Sequence, residues 1–252
     1  MSSTPNTSSP HESRRPRTKG GPRSARESRG THGARLLPPA LALVVAAVVY
    51  GLLPATLLPL PRVVIPALEM VLLVALLLTT RRHEGQQARW SRRVSTAMST
   101  TVIVTNLVAL GLLVASLGSQ APGGPMLLGA MQVWVTGVIG FALLYWELDR
   151  GGPVARHTSP REQLPLADWR FSQDENDDAV GEIAEGSSEK AGWMPEFVDY
   201  AYLSLTNSSA FSPTDTMPLS SRAKALMGLQ ATAALLTSLL VVARAVGSLS
   251  GG

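Results

Sequence analysis

Glu69 is the one ionisable side chain in the apolar run from Val63 to Thr80. A carboxylate at membrane depth costs about 2.5–3.5 kcal/mol on insertion scales, so it faces a partner or a wet cavity. Arg62 lies seven residues earlier on the same helical face. Two readings stay open: a proton or cation site, or a protonated or Arg-paired carboxylate that fixes helix packing. Asn106, Gln132 and Gln230 fall inside other apolar runs, where an interhelical hydrogen bond is worth about 0.6 kcal/mol. Twelve acidic and five basic residues crowd positions 147–196, with the acids densest from Asp174 to Glu189. Their order misses the alternating acids, Gly and closing Glu of a calcium-binding EF-hand loop. A charge block of this kind reads as a solvated linker.

Other chemistries lack their residues. His11, His32, His83 and His157 lie in tails or loops, and no two stand three or four apart as metal ligands on a helix do. The chain has no cysteine, which excludes disulfides, thiolate metal sites and thiol catalysis. Nucleophile elbow, phosphate-binding loop and dinucleotide fingerprint are all missing. The expectation is a protein that is not an enzyme and uses no cofactor or metal. The arginine-rich arm before residue 36 carries no aromatic residue to stack on bases, which argues against a nucleic-acid partner.

The elements that hold these residues are membrane helices. Of 252 residues, 45% are apolar and 16% charged, and the apolar ones are gathered into blocks. Uncharged runs cover 36–61, 94–117, 126–146 and 225–243, and the run broken by Glu69 makes a fifth. About 20 apolar residues of helix cross a bilayer core, and lipid gives an open backbone no partner. The fold class is therefore all-α: a multi-pass helical membrane protein with about five transmembrane helices. Residues 1–35, rich in Ser, Pro, Gly and Arg, have too little to bury and read as a disordered basic tail. A four-helix membrane region (36–146), an acidic polar linker (147–196) and a carboxy-terminal module (197–246) follow. Trp169, Phe171, Trp193 and Phe197 bracket the acidic stretch and are expected to dock it at the membrane interface.

Residues 1–37 hold seven Arg and one Lys against two Glu, and residues 81–93 hold five Arg against one Glu. Basic segments stay inside, so the amino terminus is cytoplasmic and the protein belongs to the inner or plasma membrane.

The module reads DYAYLSLTNSSAFSPTDTMPLSSRAKALMGLQATAALLTSLLVVARAV from Asp199. It resembles the pore half of the two-transmembrane potassium-channel family, in which a half-length helix leads into T-V-G-Y-G-D-x-x-P and an inner helix. Asp215 and Pro218 match the family's Asp and Pro at the family's spacing, and Arg222 falls where a basic residue commonly precedes the inner helix. The whole chain also resembles a class of uncharacterised prokaryotic multi-pass proteins with a similar AFSPTDTMPL turn. The resemblance implies a re-entrant or interfacial half-helix over 197–211 and a homo-oligomer with the turn near its axis. Small cations would be the permeant species. Thr206, Ser209, Ser212, Pro213, Thr214, Asp215 and Pro218 are the pore-turn candidates.

The filter itself is degenerate. Ser212 and Thr214 replace its two glycines, whose backbone freedom lets carbonyls face the ion, and Pro213 restricts the turn further. The implied activity is channel-like and not K⁺-selective, against the alternative of a non-conducting scaffold or accessory subunit. Topology is directly testable: reporter fusions at Gly20 and Gln87 should report cytoplasm, and one at Ala121 the outside. A periplasmic signal at Gln87 would overturn the span order.

Overall fold

The third, fourth and fifth apolar runs are helices, as their composition requires. In the computed structural model, residues 86–116, 123–175, 178–210 and 215–250 are described, with isolated helical positions between 41 and 71. All fall within one unit, Arg35–Gly252. The long helices are α1 (Gln86–Ala115), α2 (Gly123–Leu148) and α6 (Ser221–Ser250). Between α2 and α6 lie the short helices α3 (Pro153–Thr158) and α4 (Gly181–Ala184), then α5 (Phe197–Ser209). A two-residue strand β1 (Trp169–Arg170) pairs antiparallel with β2 (Met217–Pro218), setting Trp169 opposite Pro218. The tail 1–35, the first two apolar runs as spans, and Glu69 lie outside the described residues.

Among the described residues, three helices are long and apolar enough to cross a membrane, over Ser95–Ala115, Gly124–Gly151 and Ser221–Gly247. Their outward faces are apolar too. Val104, Val108 and Leu112 on α1, Leu128 and Met131 on α2, and Leu236, Leu239 and Val246 on α6 are all exposed. Contiguous apolar surface of that extent suits lipid rather than water. The exposed hydroxyls among them are closed off locally: Thr100, Thr101 and Thr232 each donate to the carbonyl four residues earlier. Such back-bonding leaves no naked donor facing a hydrocarbon solvent.

The interior is built around α2. Hydrogen bonds tie Arg92 to Leu148 and Asn106 to Val133, so α1 runs antiparallel to α2. Gly129, Gly137 and Gly140 admit α1 closely. A methyl at Gly137 would meet Asn106 Nδ2 at 3.1 Å, and one at Gly140 would meet Ile103 at 3.3 Å. Gly111, another small residue of the apolar runs, is exposed and touches nothing there. Arg222 reaches Leu148, and Leu240 packs with Met126 and Ala130, so α6 is also antiparallel to α2.

The half-helix follows the same direction as α6. Tyr200 bonds Asp149 at the end of α2, while Asn207 bonds Met227. From Phe197, α5 therefore enters the bundle at the end where α6 begins. It stops beside the second turn of α6, and β2 is back at the starting end. Thirteen residues give about 20 Å of helix, short of a span.

The close approach at Gly137 sets an expectation. Gly137→Val should push α1 away from α2 and lower stability by about 1–3 kcal/mol, read as an earlier thermal transition in detergent. An unchanged transition would show that the Asn106 side chain yields freely.

Candidate functional site

Where α2 ends, its last carbonyls need donors that lipid and apolar packing cannot supply. Three arginines supply them. Arg156 Nη2 donates to Trp146 O at 2.9 Å and Nη1 to Asp149 O at 2.7 Å. Arg92 donates to Glu147 O and Leu148 O, both at 3.3 Å, and Arg222 reaches Leu148 O at 3.4 Å. One arginine comes from α1, one from α3 and one from α6. A guanidinium at a helix carboxy terminus also opposes the negative end of the dipole.

The chain turns sharply beyond the cap. Arg150, Gly151 and Gly152 all have positive φ, at 47°, 85° and 90°. A Cβ on Gly151 would lie 2.9 Å from that of Ala155, so this position needs glycine for both reasons. Arg150 tolerates its angle because its side chain is held. It pairs with Asp149 at 3.2 Å and Asp174 at 2.6 Å, and stands over the Phe171 ring.

Asp149 is fully buried and fully partnered. It accepts from Tyr200 Oη at 2.6 Å and from the Asp168 amide at 2.7 Å, besides Arg150. Asp168 in turn holds Arg222 and the Ser220 hydroxyl, which anchors the first turn of α6. Asp174 takes Ser188 Oγ at 2.6 Å and Arg161 at 3.3 Å. Burial pushes its carboxyl up, but the Ser188 bond and the Arg150 charge outweigh that and hold it below its ordinary value. Burial also pushes the Tyr200 phenol well up, keeping it a donor, and pulls Arg156 down.

This network corrects two sequence expectations. The 147–196 segment is not a wholly solvated linker: Asp149, Asp168 and Asp174 meet arginines instead of repelling one another. Glu175, Asp178, Glu182, Glu185 and Glu189 remain exposed, as a charge block predicts. The bracketing aromatics pack inside the protein instead of standing out as anchors. Trp169, Phe171 and Phe197 are buried, with Trp169 ringed by Tyr145 and Tyr200 and its Nε1 directed at Met227 Sδ. Trp193 is half-buried against Phe171. Aromatic faces and edges satisfy each other here.

Deeper in the bundle a second polar group centres on Gln230. Its Oε1 accepts from Tyr145 Oη at 2.6 Å and Asn207 Nδ2 at 3.0 Å. Its Nε2 donates to Ser204 Oγ at 2.6 Å, to Ser204 O and to Ser208 Oγ at 2.8 Å. Ser204 Oγ donates onward to Val138 O. One amide thus binds α2, α5 and α6 together. Beside it a cavity of about 30 Å³, lined by Asn106, Ser208, Gln230 and Thr237 among apolar residues, has room for about one water.

The pore-turn candidates are only partly brought together. Thr206 back-bonds to Tyr202 O within α5. Ser209 is exposed at its last residue and Asp215 is exposed past the turn, while Pro218 lies in β2 opposite Trp169. Ser212, Pro213 and Thr214 lie outside the described residues. Asn106 and Gln230 are interhelical links as read, since Asn106 donates to Val133 O and accepts from Thr136. Gln132 is not: both polar atoms of its buried amide lack a hydrogen-bond partner. Sequence reading missed Asp149, Arg156, Tyr200, Ser204 and Asn207. Only Asn207, an amide in an apolar stretch, carried a local signal. Protein-family models, curated proteins and solved structures were all compared with the chain, and none matches it.

The two glutamines should behave oppositely. Gln230→Leu strands the Tyr145 and Asn207 donors and should cost about 2–3 kcal/mol. Gln132→Leu strands nothing and should be neutral or stabilising. Equal losses in thermal unfolding would refute the assignment of Gln230 as the link.

Proposed function

We propose that this is an integral protein of the inner or plasma membrane, with a cytoplasmic amino terminus and about five spans. Its carboxy-terminal module is a channel-like re-entrant element, assembled as a homo-oligomer, that passes small cations without selecting K⁺. The observation that supports this most is direction: α5 and α6 enter from the same end, and α5 stops beside Met227 and Gln230. A half-helix, a turn back and a full-length helix make the arrangement that the pore-module resemblance implies. On the charge reading that end is cytoplasmic, so the module would open inward, the reverse of the potassium-channel family.

Non-helical backbone at membrane depth is tolerated only where protein or water covers it. Ser209 and Asp215, exposed on either side of the turn, would then face a shared aqueous axis. Oxygen ligands of that kind can pass hydrated cations. Without the filter's glycines, they lack the stacked carbonyls that replace the hydration shell of K⁺.

A second reading has its own observation. Ser204, Asn207 and Ser208 are all bonded within the chain, so α5 can serve as a fixed wedge in a non-conducting scaffold. Flux measurements on purified protein in liposomes decide between them. The pore reading expects cation flux with no strong K⁺-over-Na⁺ preference and no block by quaternary ammonium ions, from a stable oligomer. A robust K⁺ preference overturns the argument from the missing glycines. Electrical silence with a monomer in mild detergent favours the scaffold.

A further inference from the structure

Leu166 is 93% exposed, the most exposed large apolar side chain among the described residues. It stands in the loop that leads into β1. Met217 and Leu219 are exposed nearby, since the Leu219 amide donates to Asp168 O at 2.8 Å, two residues from Leu166. Across the ribbon Trp169 pairs with Pro218, and Trp169 is buried in the core. Successive strand residues point to opposite faces, so Met217 and Leu219 share the outer one. A ribbon in water keeps its outer face polar. This one is apolar on both. Its level is set by the ends of the spans. A Cβ on Gly151, the last residue of the α2 span, would meet Pro165 at 3.1 Å, so the residue before Leu166 packs on that end. Leu219 stands two residues before Ser221, the first of the α6 span, and Asp168 holds Arg222, which reaches Leu148 O.

We propose that this loop and ribbon form an interfacial foot, with Leu166, Met217 and Leu219 inserted at the boundary of acyl chains and headgroups in the leaflet where α2 ends. The patch is level with both span ends, and the helix it leads into is apolar on its outward face from Leu229 to Val246. A bilayer surface is the cover that meets both at once. Apolar area holds the foot, and charge does not. Arg170, whose Nη2 meets Met217 Sδ at 2.9 Å, is paired with Glu175, and the exposed Asp215 and Lys224 on either side of β2 offset one another. Through Asp168 and the Ser220 hydroxyl the foot fixes the depth at which α6 begins. It rests on the membrane reading above, because the span ends define its level.

The chain has no cysteine, so Leu166→Cys and Leu219→Cys each take a single spin label in the full-length protein. Val108→Cys on the outward face of α1 and Glu185→Cys in the exposed acidic stretch serve as references. In phosphatidylcholine nanodiscs, collisions with dissolved oxygen should exceed those with a water-soluble nickel chelate at Leu166, Leu219 and Val108. The order should reverse at Glu185. Added phosphatidylglycerol should leave the Leu166 ratio unchanged. A second measurement needs no variant: hydroxyl-radical footprinting of the wild type in the same nanodiscs should oxidise Val180 and spare Leu166, although Leu166 is the more exposed on the protein itself. Chelate collisions dominating at Leu166 and Leu219, or Leu166 oxidised as fast as Val180, overturns the proposal. Loss of both kinds of collision at Leu166 also overturns it, because protein then covers the patch. A Val108 label that favours the chelate would sink the membrane reading itself, whereas Val108 in lipid with Leu166 in water sinks the foot alone.

Discussion

The carbonyl end of α2 governs this structure. A helix that stops in or near lipid leaves acceptors that must be satisfied by protein, and here Arg92, Arg156 and Arg222 satisfy them from three segments. Once those guanidiniums converge, α1 and α6 are set antiparallel to α2 with their starts at one level. The polar segment is drawn over the same end. Its aspartates then have charges to meet, which is why an acidic stretch folds instead of remaining in solvent. Asp149 sits at the centre of this, joining the turn after α2 to α5 through Tyr200 and to β1 through the Asp168 amide.

The Gln230 group solves a different problem. A short helix cannot rely on apolar packing alone to hold a fixed depth, because lipid tails are as apolar as the side chains it would bury. Directional bonds fix the depth instead. Ser204, Asn207 and Ser208 lie on successive turns of α5, and one amide of α6 reaches all three. The aromatic layer of Tyr145, Trp169 and Tyr200 separates this group from the ionic one. The half-helix is thus held at both ends of its buried face.

The three long apolar helices were legible because uncharged runs of about twenty residues have few other uses, and the short helix before α6 was implied by the pore-module resemblance. The ionic end was not. Arg222 and Leu148 are 74 residues apart, and Arg92 and Leu148 are 56 apart. The acceptors are main-chain atoms that every residue possesses, so no side-chain pattern announces them. The same holds for the buried aromatics: ring-to-ring packing and an interfacial belt call for the same residue types. Gln132 shows the converse. Its amide looks like Gln230 in sequence, and only the neighbouring helices decide that one is bonded and the other is not.

The order in which the capping arginines leave the ribosome has a consequence for biogenesis. Arg92 precedes α2, Arg156 follows it closely, and Arg222 arrives only with the last helix. During translation α2 is therefore made before its cap is complete, and Asp168 waits for the same late arginine. A chain truncated before α6 would present a half-capped helix end and a buried aspartate without its cation.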